Sequence, residues 1–117
     1  MLLAFSVAPS GQPPAAPDAA APAPAAGRPA DASVHDAVAE AVKIVRESGL
    51  PNHTDSMFTT IEGEWDEVFD VVKRATEAVG KYGSRVSLVI KADIRPGYTG
   101  ELTGKVERLE NAIADAS

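Results

Sequence analysis

Apolar and polar residues alternate in two ways along this chain, and the switch between them sets the element order. Leu3, Phe5 and Val7 alternate with Ala4, Ser6 and Ala8. A period of two predicts a strand over 2–8. Val34, Ala37, Val38, Ala41, Val42 and Val45 then recur at helical spacing, with His35, Glu40, Lys43, Arg46 and Glu47 on the other side. Ser33 with Asp36 three positions on has the form of a helix start, and Gly49 and Pro51 end the helix. His53 to Ile61 is rich in strand-compatible residues. It is read as two short strands folded on a tight turn near Ser56 in preference to one bent strand.

Glu62-Gly63 turns the chain into a second helix. Glu64, Asp66 and Glu67 stand in its first turn, where they complement the helix dipole. Its predicted inner stripe is Trp65, Val68, Phe69, Val72, Ala75, Thr76 and Val79. Asp70/Arg74 and Glu77/Lys81 are expected as i,i+4 pairs outside, and Gly80 and Gly83 as the stop. Arg85 to Ile94 alternates again, Val86, Leu88 and Ile90 against Ser87, Val89, Lys91 and Asp93. After a turn at Arg95-Pro96-Gly97-Tyr98, Thr103 to Ala116 reads as a final helix with Leu102, Val106, Leu109 and Ile113 as its stripe.

Strand, helix, strand, strand, helix, strand and a last helix make an α+β, ferredoxin-like βαββαβ sandwich with an antiparallel sheet and an extra C-terminal helix. Right-handed crossovers place the first and third strands in the middle and the first two helices on one face. Parity assigns Ser6, Phe58, Thr60, Glu62, Ser87, Val89, Lys91 and Asp93 to the bare face. That mixture suits a subunit interface holding a ligand pocket.

Composition changes this picture at one place. Pro9 to Asp31 holds seven of the nine prolines and nine alanines, with almost no large apolar side chain. Such a segment buries too little surface to offset its ordering entropy, so a flexible or polyproline-like loop is expected at about 9–31 within a single domain of 117 residues. The remainder, about 95 residues, is small for a lone core, which favours a homo-oligomer built as a dimer of dimers. The formal net charge of −6 makes nucleic acid a poor partner. No cysteine is present, which excludes a disulfide scaffold and thiolate metal sites. Met1 to Val7 is too short for a secretory core, and no run reaches the length of a membrane helix, so a cytoplasmic protein without membrane contact is expected.

Candidate chemistry is sparse. His35 and His53 have no metal-ligand spacing, and no serine sits on a Gly-x-Ser-x-Gly turn. The glycines near Tyr98 and Lys105 do not make a phosphate loop. An acyl-phosphate hydrolase on this fold wants an arginine-bearing loop after the first strand, and only Arg28 stands there. No catalytic residue and no metal ligand are therefore assigned. What remains is Asp55 to Glu64, a strand that ends in a carboxylate and a glycine and runs at once into a helix. Glu62 either terminates the strand and caps the next helix or accepts a hydrogen bond from a ligand. Lys91 with Asp93 is either an interface ion pair or a ligand contact. Ser6 and Thr60 are ordinary strand hydroxyls or ligand partners, and Trp65 and Phe58 are core, interface or a stacking platform.

Phe5-Ser6-Val7-Ala8-Pro9, Met57-Phe58-Thr59-Thr60-Ile61-Glu62-Gly63, Ile90-Lys91-Ala92-Asp93-Ile94-Arg95 and Gly104-Lys105-Val106 occur in an order and spacing that resembles the thiamine-binding protein family, a YkoF-like group of small ferredoxin-like proteins. The resemblance implies a non-enzymatic protein that binds thiamine or its hydroxymethylpyrimidine part and assembles through its sheets. It implies no cofactor beyond that ligand. Ser6, Met57, Thr59, Glu62 and Lys91 sit on matching motif positions, and Thr60 joins them from the strand reading. Parity places Met57 and Thr59 on the opposite face from Thr60 and Glu62, so two candidate faces stay open. Phe58 departs from the glycine common at that position, and the loop after the first strand is longer than usual. The alternative is a ligand-responsive regulatory or assembly module without thiamine specificity.

Overall fold

The computed structural model describes residues 1–12 and 30–116, with side chains in the first helix described from Val34 onward. Its elements are β1 (Leu2–Ser10), α1 (Ala30–Glu47), β2 (Asn52–Thr54), β3 (Thr59–Glu62), α2 (Trp65–Val79), β4 (Arg85–Asp93) and α3 (Glu101–Ala116). The sheet order is β2-β3-β1-β4, with every neighbouring pair antiparallel. The predicted α+β architecture is the observed one. The expected loop narrows at both ends, because β1 reaches Ser10 and α1 begins at Ala30. Alanine at positions 30 and 32 propagates the helix N-terminal to Ser33, the expected start. The rest of that loop, and the expectation of its flexibility, lie outside the described residues.

The core forms where the period-two face of β1 meets the helical stripes. Leu3, Phe5 and Val7 are buried, as are Ile61 of β3, Ala37, Ala41 and Val45 of α1, and Val68, Val71, Val72, Ala75 and Val79 of α2. Register explains the strand contribution. Leu3 lies opposite Ile61 and Ala92, and Phe5 opposite Thr59 and Ile90, so these residues share the helix-covered face. Gly83 is required by close packing, since a Cβ there would stand 2.5 Å from the Ser10 carbonyl oxygen.

Three packing expectations are corrected. Trp65 does not enter the core. It is exposed at the first position of α2 and stacks on Phe69 with ring centroids 5.1 Å apart, while Val71 and Ala78 are buried in the stripe instead. The helix ends at Val79, so Lys81 lies past it and makes no ion pair with Glu77 among the described residues, whereas Arg74 does hold Asp70 at 3.0 Å. The stripe of α3 is open: Val106, Leu109 and Ile113 are all more than half exposed, because α3 leaves the sheet after its first turns. No helix among the described residues is long and apolar enough to cross a membrane.

Candidate functional site

Two short strands do arise from residues 52–62, and a carboxylate shapes the turn between them. Asp55 Oδ1 accepts the backbone N–H of Met57 at 2.8 Å and of Phe58 at 2.9 Å, and the Asp55 N–H donates to the Phe58 carbonyl. An aspartate that captures amides two and three residues on closes a turn at small cost. These two amides, Phe58 first, hold the Asp55 carboxyl below its ordinary range, so it is anionic at neutral pH. The turn also corrects the place of Phe58. Residues 55–58 are consumed by it and β3 begins at Thr59, so Phe58 is half-buried in the turn and has no strand face.

A cavity of about 210 Å³ opens under this turn, on the helix-covered side, between the hairpin tip, β1 and α1. Phe5, Val38, Val42, Met57 and Phe58 give it apolar walls, Thr54, Asp55 and Thr59 bring polar groups, and β1 borders it through Ser6 and Val7. The Thr54 and Thr59 hydroxyls share a hydrogen bond at 3.2 Å. Three of the six residues expected at a ligand site, Ser6, Met57 and Thr59, border this cavity, although the register of Ser6 opposite Val89 turns its side chain to the bare face.

The other three lie on the opposite face. Thr60 faces a larger hollow of about 720 Å³ between the sheet and α3, with Leu2, His53, Leu102, Lys105 and Val106 around it. Lys91 is exposed on β4, opposite Ala4. Glu62 is buried, and both its oxygens face the start of α3: Oε2 accepts the Glu101 N–H at 2.7 Å and Oε1 the Leu102 N–H at 3.4 Å. The first amides of a helix have no partner within it, and a carboxylate there also meets the positive end of the dipole. Glu62 thus caps a helix 39 residues further on, while α2, the helix directly after it, starts on Glu64, whose N–H donates to Glu67 Oε1 at 3.2 Å.

One ion pair ties α3 to β4, and a second lies within α3. Lys105 Nζ donates to Asp93 Oδ2, and Arg108 Nη2 to Glu101 Oε2 at 2.8 Å. The lysine hydrogen bond holds the Asp93 carboxyl below its ordinary range, and the arginine hydrogen bond does the same for Glu101. Asp93 is therefore engaged by Lys105, a partner that strand parity does not reveal. No group of three or more potential metal ligands occurs among the described residues.

The residues that sequence reasoning missed are Val38 and Val42, read only as core, together with Thr54 and the carboxylate of Asp55. The signal for Asp55 was its place at the head of a turn, four residues before Thr59.

A profile of the thiamine-binding protein family matches residues 23–110. The UPF0045 protein Mb1933 of Mycobacterium bovis is 54% identical over 81 residues, covering 68% of this chain and 79% of that protein. Among solved structures, the domain of unknown function DUF77 from Bacillus cereus is 30% identical with a TM-score of 0.63, covering 86% of this chain and 83% of that one. A Thermotoga maritima protein, provisionally assigned to thiamine biosynthesis or salvage, shares the fold with a TM-score of 0.62 at 20% identity, over 91% of this chain and 96% of that one. The match over most of the sequence, the close mycobacterial relative and the shared four-stranded architecture have one meaning: this chain belongs to the thiamine-binding protein family.

Proposed function

We propose that this protein binds thiamine, or its hydroxymethylpyrimidine part, reversibly and without catalysing a reaction, and that the ring enters the cavity under the β2–β3 turn. The observation that carries this reading is the meeting of Ser6, Met57 and Thr59 with the Asp55 carboxylate around one apolar-walled cavity. Its chemistry suits the ligand. A flat heteroaromatic ring fits between aliphatic and aromatic side chains, and the hydroxyls of Thr54 and Thr59 offer hydrogen bonds. The anionic Asp55 at the rim favours the cationic thiazolium. Its size suits a single ring, since 210 Å³ is below the roughly 300–1,000 Å³ of pockets that enclose drug-sized ligands. The name of the family and the provisional role of the Thermotoga maritima protein support the ligand class.

A second reading has its own observation. The 720 Å³ hollow under α3 is large enough for both rings of thiamine, with Thr60 and Lys105 in its lining and Glu62 holding its helical wall. Lys91 is exposed on the same face. In that reading Glu62 acts by placing α3, with spare acceptor capacity for an amine. The bare face also motivates a homo-oligomer, a dimer of dimers, because Val89, Val106, Leu109 and Ile113 leave a broken apolar surface there.

Calorimetric titration with thiamine and with hydroxymethylpyrimidine tests the function. Saturable heat with either is expected. Asp55→Asn is expected to weaken thiamine more than hydroxymethylpyrimidine, since only thiamine carries the positive charge. Heat with neither ligand rejects the function. Equal binding by wild type and Asp55→Asn, with loss in a Glu62→Ala variant, moves the site to the hollow under α3.

A further inference from the structure

The pairing of β1 leaves one residue of the central strand with its main chain facing the small cavity. In an antiparallel pair, opposed residues alternate between those that exchange both backbone hydrogen bonds and those that exchange none. The phase is fixed at the end of the β1–β3 ladder. The Met1 N–H group donates to the Gly63 carbonyl at 2.8 Å, and the Gly63 N–H to the Met1 carbonyl at 3.1 Å. Residue 1 is thus a bonded position, and so are Leu3 opposite Ile61 and Phe5 opposite Thr59. The even residues of β1 bond to β4 on the other side. The second hairpin agrees in phase, because the Glu62 N–H donates to Pro51 and the Asp55 N–H to Phe58 on the far side of β3.

Continuing the ladder would set Val7 opposite Met57. The β1–β3 pairing stops at Phe5 instead, because the Asp55 carboxylate has taken the Met57 N–H into the turn. The N–H and C=O of Val7 therefore point toward β3 where no strand partner lies among the described residues. Val7 is 7% exposed and lines the cavity beside Phe5, Val38 and Phe58. A main-chain donor and acceptor in such a place cost free energy until something pairs with them.

We infer that the Val7 main chain is the specificity element of the small cavity, and that it reads an aminopyrimidine edge. In extended backbone the N–H and C=O of one residue run nearly parallel and close together. A ring nitrogen beside an exocyclic amine is the complementary pair: the Val7 N–H donates to the ring nitrogen, and the amine donates to the Val7 C=O. The ring completes the ladder where β3 leaves it. A peptide strand offers the same pattern, but a strand long enough to pair does not fit about 210 Å³. A pyrimidinone held in the same orientation by its other ring substituents presents N–H and C=O in the reverse order, so donor meets donor and acceptor meets acceptor.

This inference rests on the reading of the small cavity as the pyrimidine site, and its test separates the two. Native protein labelled with nitrogen-15 is titrated with hydroxymethylpyrimidine and with its analogue carrying a carbonyl in place of the amine. The Val7 amide is expected to shift and to exchange with solvent at least ~10-fold more slowly with the amine ligand, and the carbonyl analogue to bind at least ~10-fold more weakly, in line with the cost of leaving buried polar groups unpaired. If the amine ligand shifts Phe5, Met57 and Thr59 but leaves Val7 exchange unchanged, or if both ligands bind alike, the inference fails and the cavity stands. If neither ligand perturbs the cavity, both fail.

Discussion

The two faces of the sheet are built from the same strands and have opposite fates. On one, Leu3, Phe5, Val7 and Ile61 disappear under α1 and α2. On the other, Lys91 and Val89 are exposed, and α3 covers one end, held at its start by a buried carboxylate and by the ion pair of Lys105 with Asp93. The first face is held by apolar area, which is nondirectional and hard to remove. The second is held by a few directional polar contacts that acid or single substitutions can remove. The candidate ligand cavity belongs to the first face, at its margin, where the β2–β3 turn fails to cover β1.

The largest expected effect lies in the core. Phe5→Ala or Leu3→Ala is expected to cost about 2–5 kcal/mol of folding free energy, while Val89→Ala, half exposed on the other face, stays within about 0.5 kcal/mol. Urea unfolding of the three variants checks the contrast, and equal losses would break it. Next is Gly83→Ala. Its Cβ would meet backbone at Ser10, which has no flexible end to yield, so a loss of about 1–3 kcal/mol is expected in the same assay.

A smaller and more local effect is expected at Glu62. Replacing it with Gln removes the charge facing the first amides of α3 and keeps the size. Amide exchange is expected to quicken in residues 101–108 with that of β1 and α2 unchanged. Uniform quickening would mean that Glu62 serves the whole fold. The smallest effect is the pH dependence of the same helix. Asp93 and Glu101 have folded pKa values depressed below 3.8 and 4.5 by Lys105 and Arg108. Groups of this sign contribute stability above their ordinary pKa and lose it as pH falls through the depressed value, Asp93 to the docking of α3 and Glu101 to the helix itself. Acid titration is therefore expected to loosen α3 below about pH 4 before the core unfolds, read as α3 amide signals that change ahead of those of Val68 or Ile61.

The core was legible in the sequence because it depends on periodicity. Period two in β1 and the valine stripes of α1 and α2 state which side is buried without reference to any other element. Trp65 was misread because its position in the stripe is right but the sheet ends beneath it. The stripe of α3 was legible as a pattern and not as an exposed one, since periodicity does not say whether a partner is present. The candidate site was legible only in halves. Strand parity separated Thr59 and Met57 from Thr60 and Glu62, and that separation is real. What parity could not supply was the reach of Glu62 to a helix 39 residues away, or the gap beside Val7, because both depend on where a ladder stops.

The most direct test of the account is to map hydroxymethylpyrimidine on the protein by backbone amide shifts at increasing ligand concentration. Saturable shifts are predicted at residues 5–8, 38–42 and 54–59, around the cavity under the turn, with residues 101–107 unmoved. Shifts confined to Thr60, Leu102 and Val106 would contradict it, and would place the ligand under α3 on the other face.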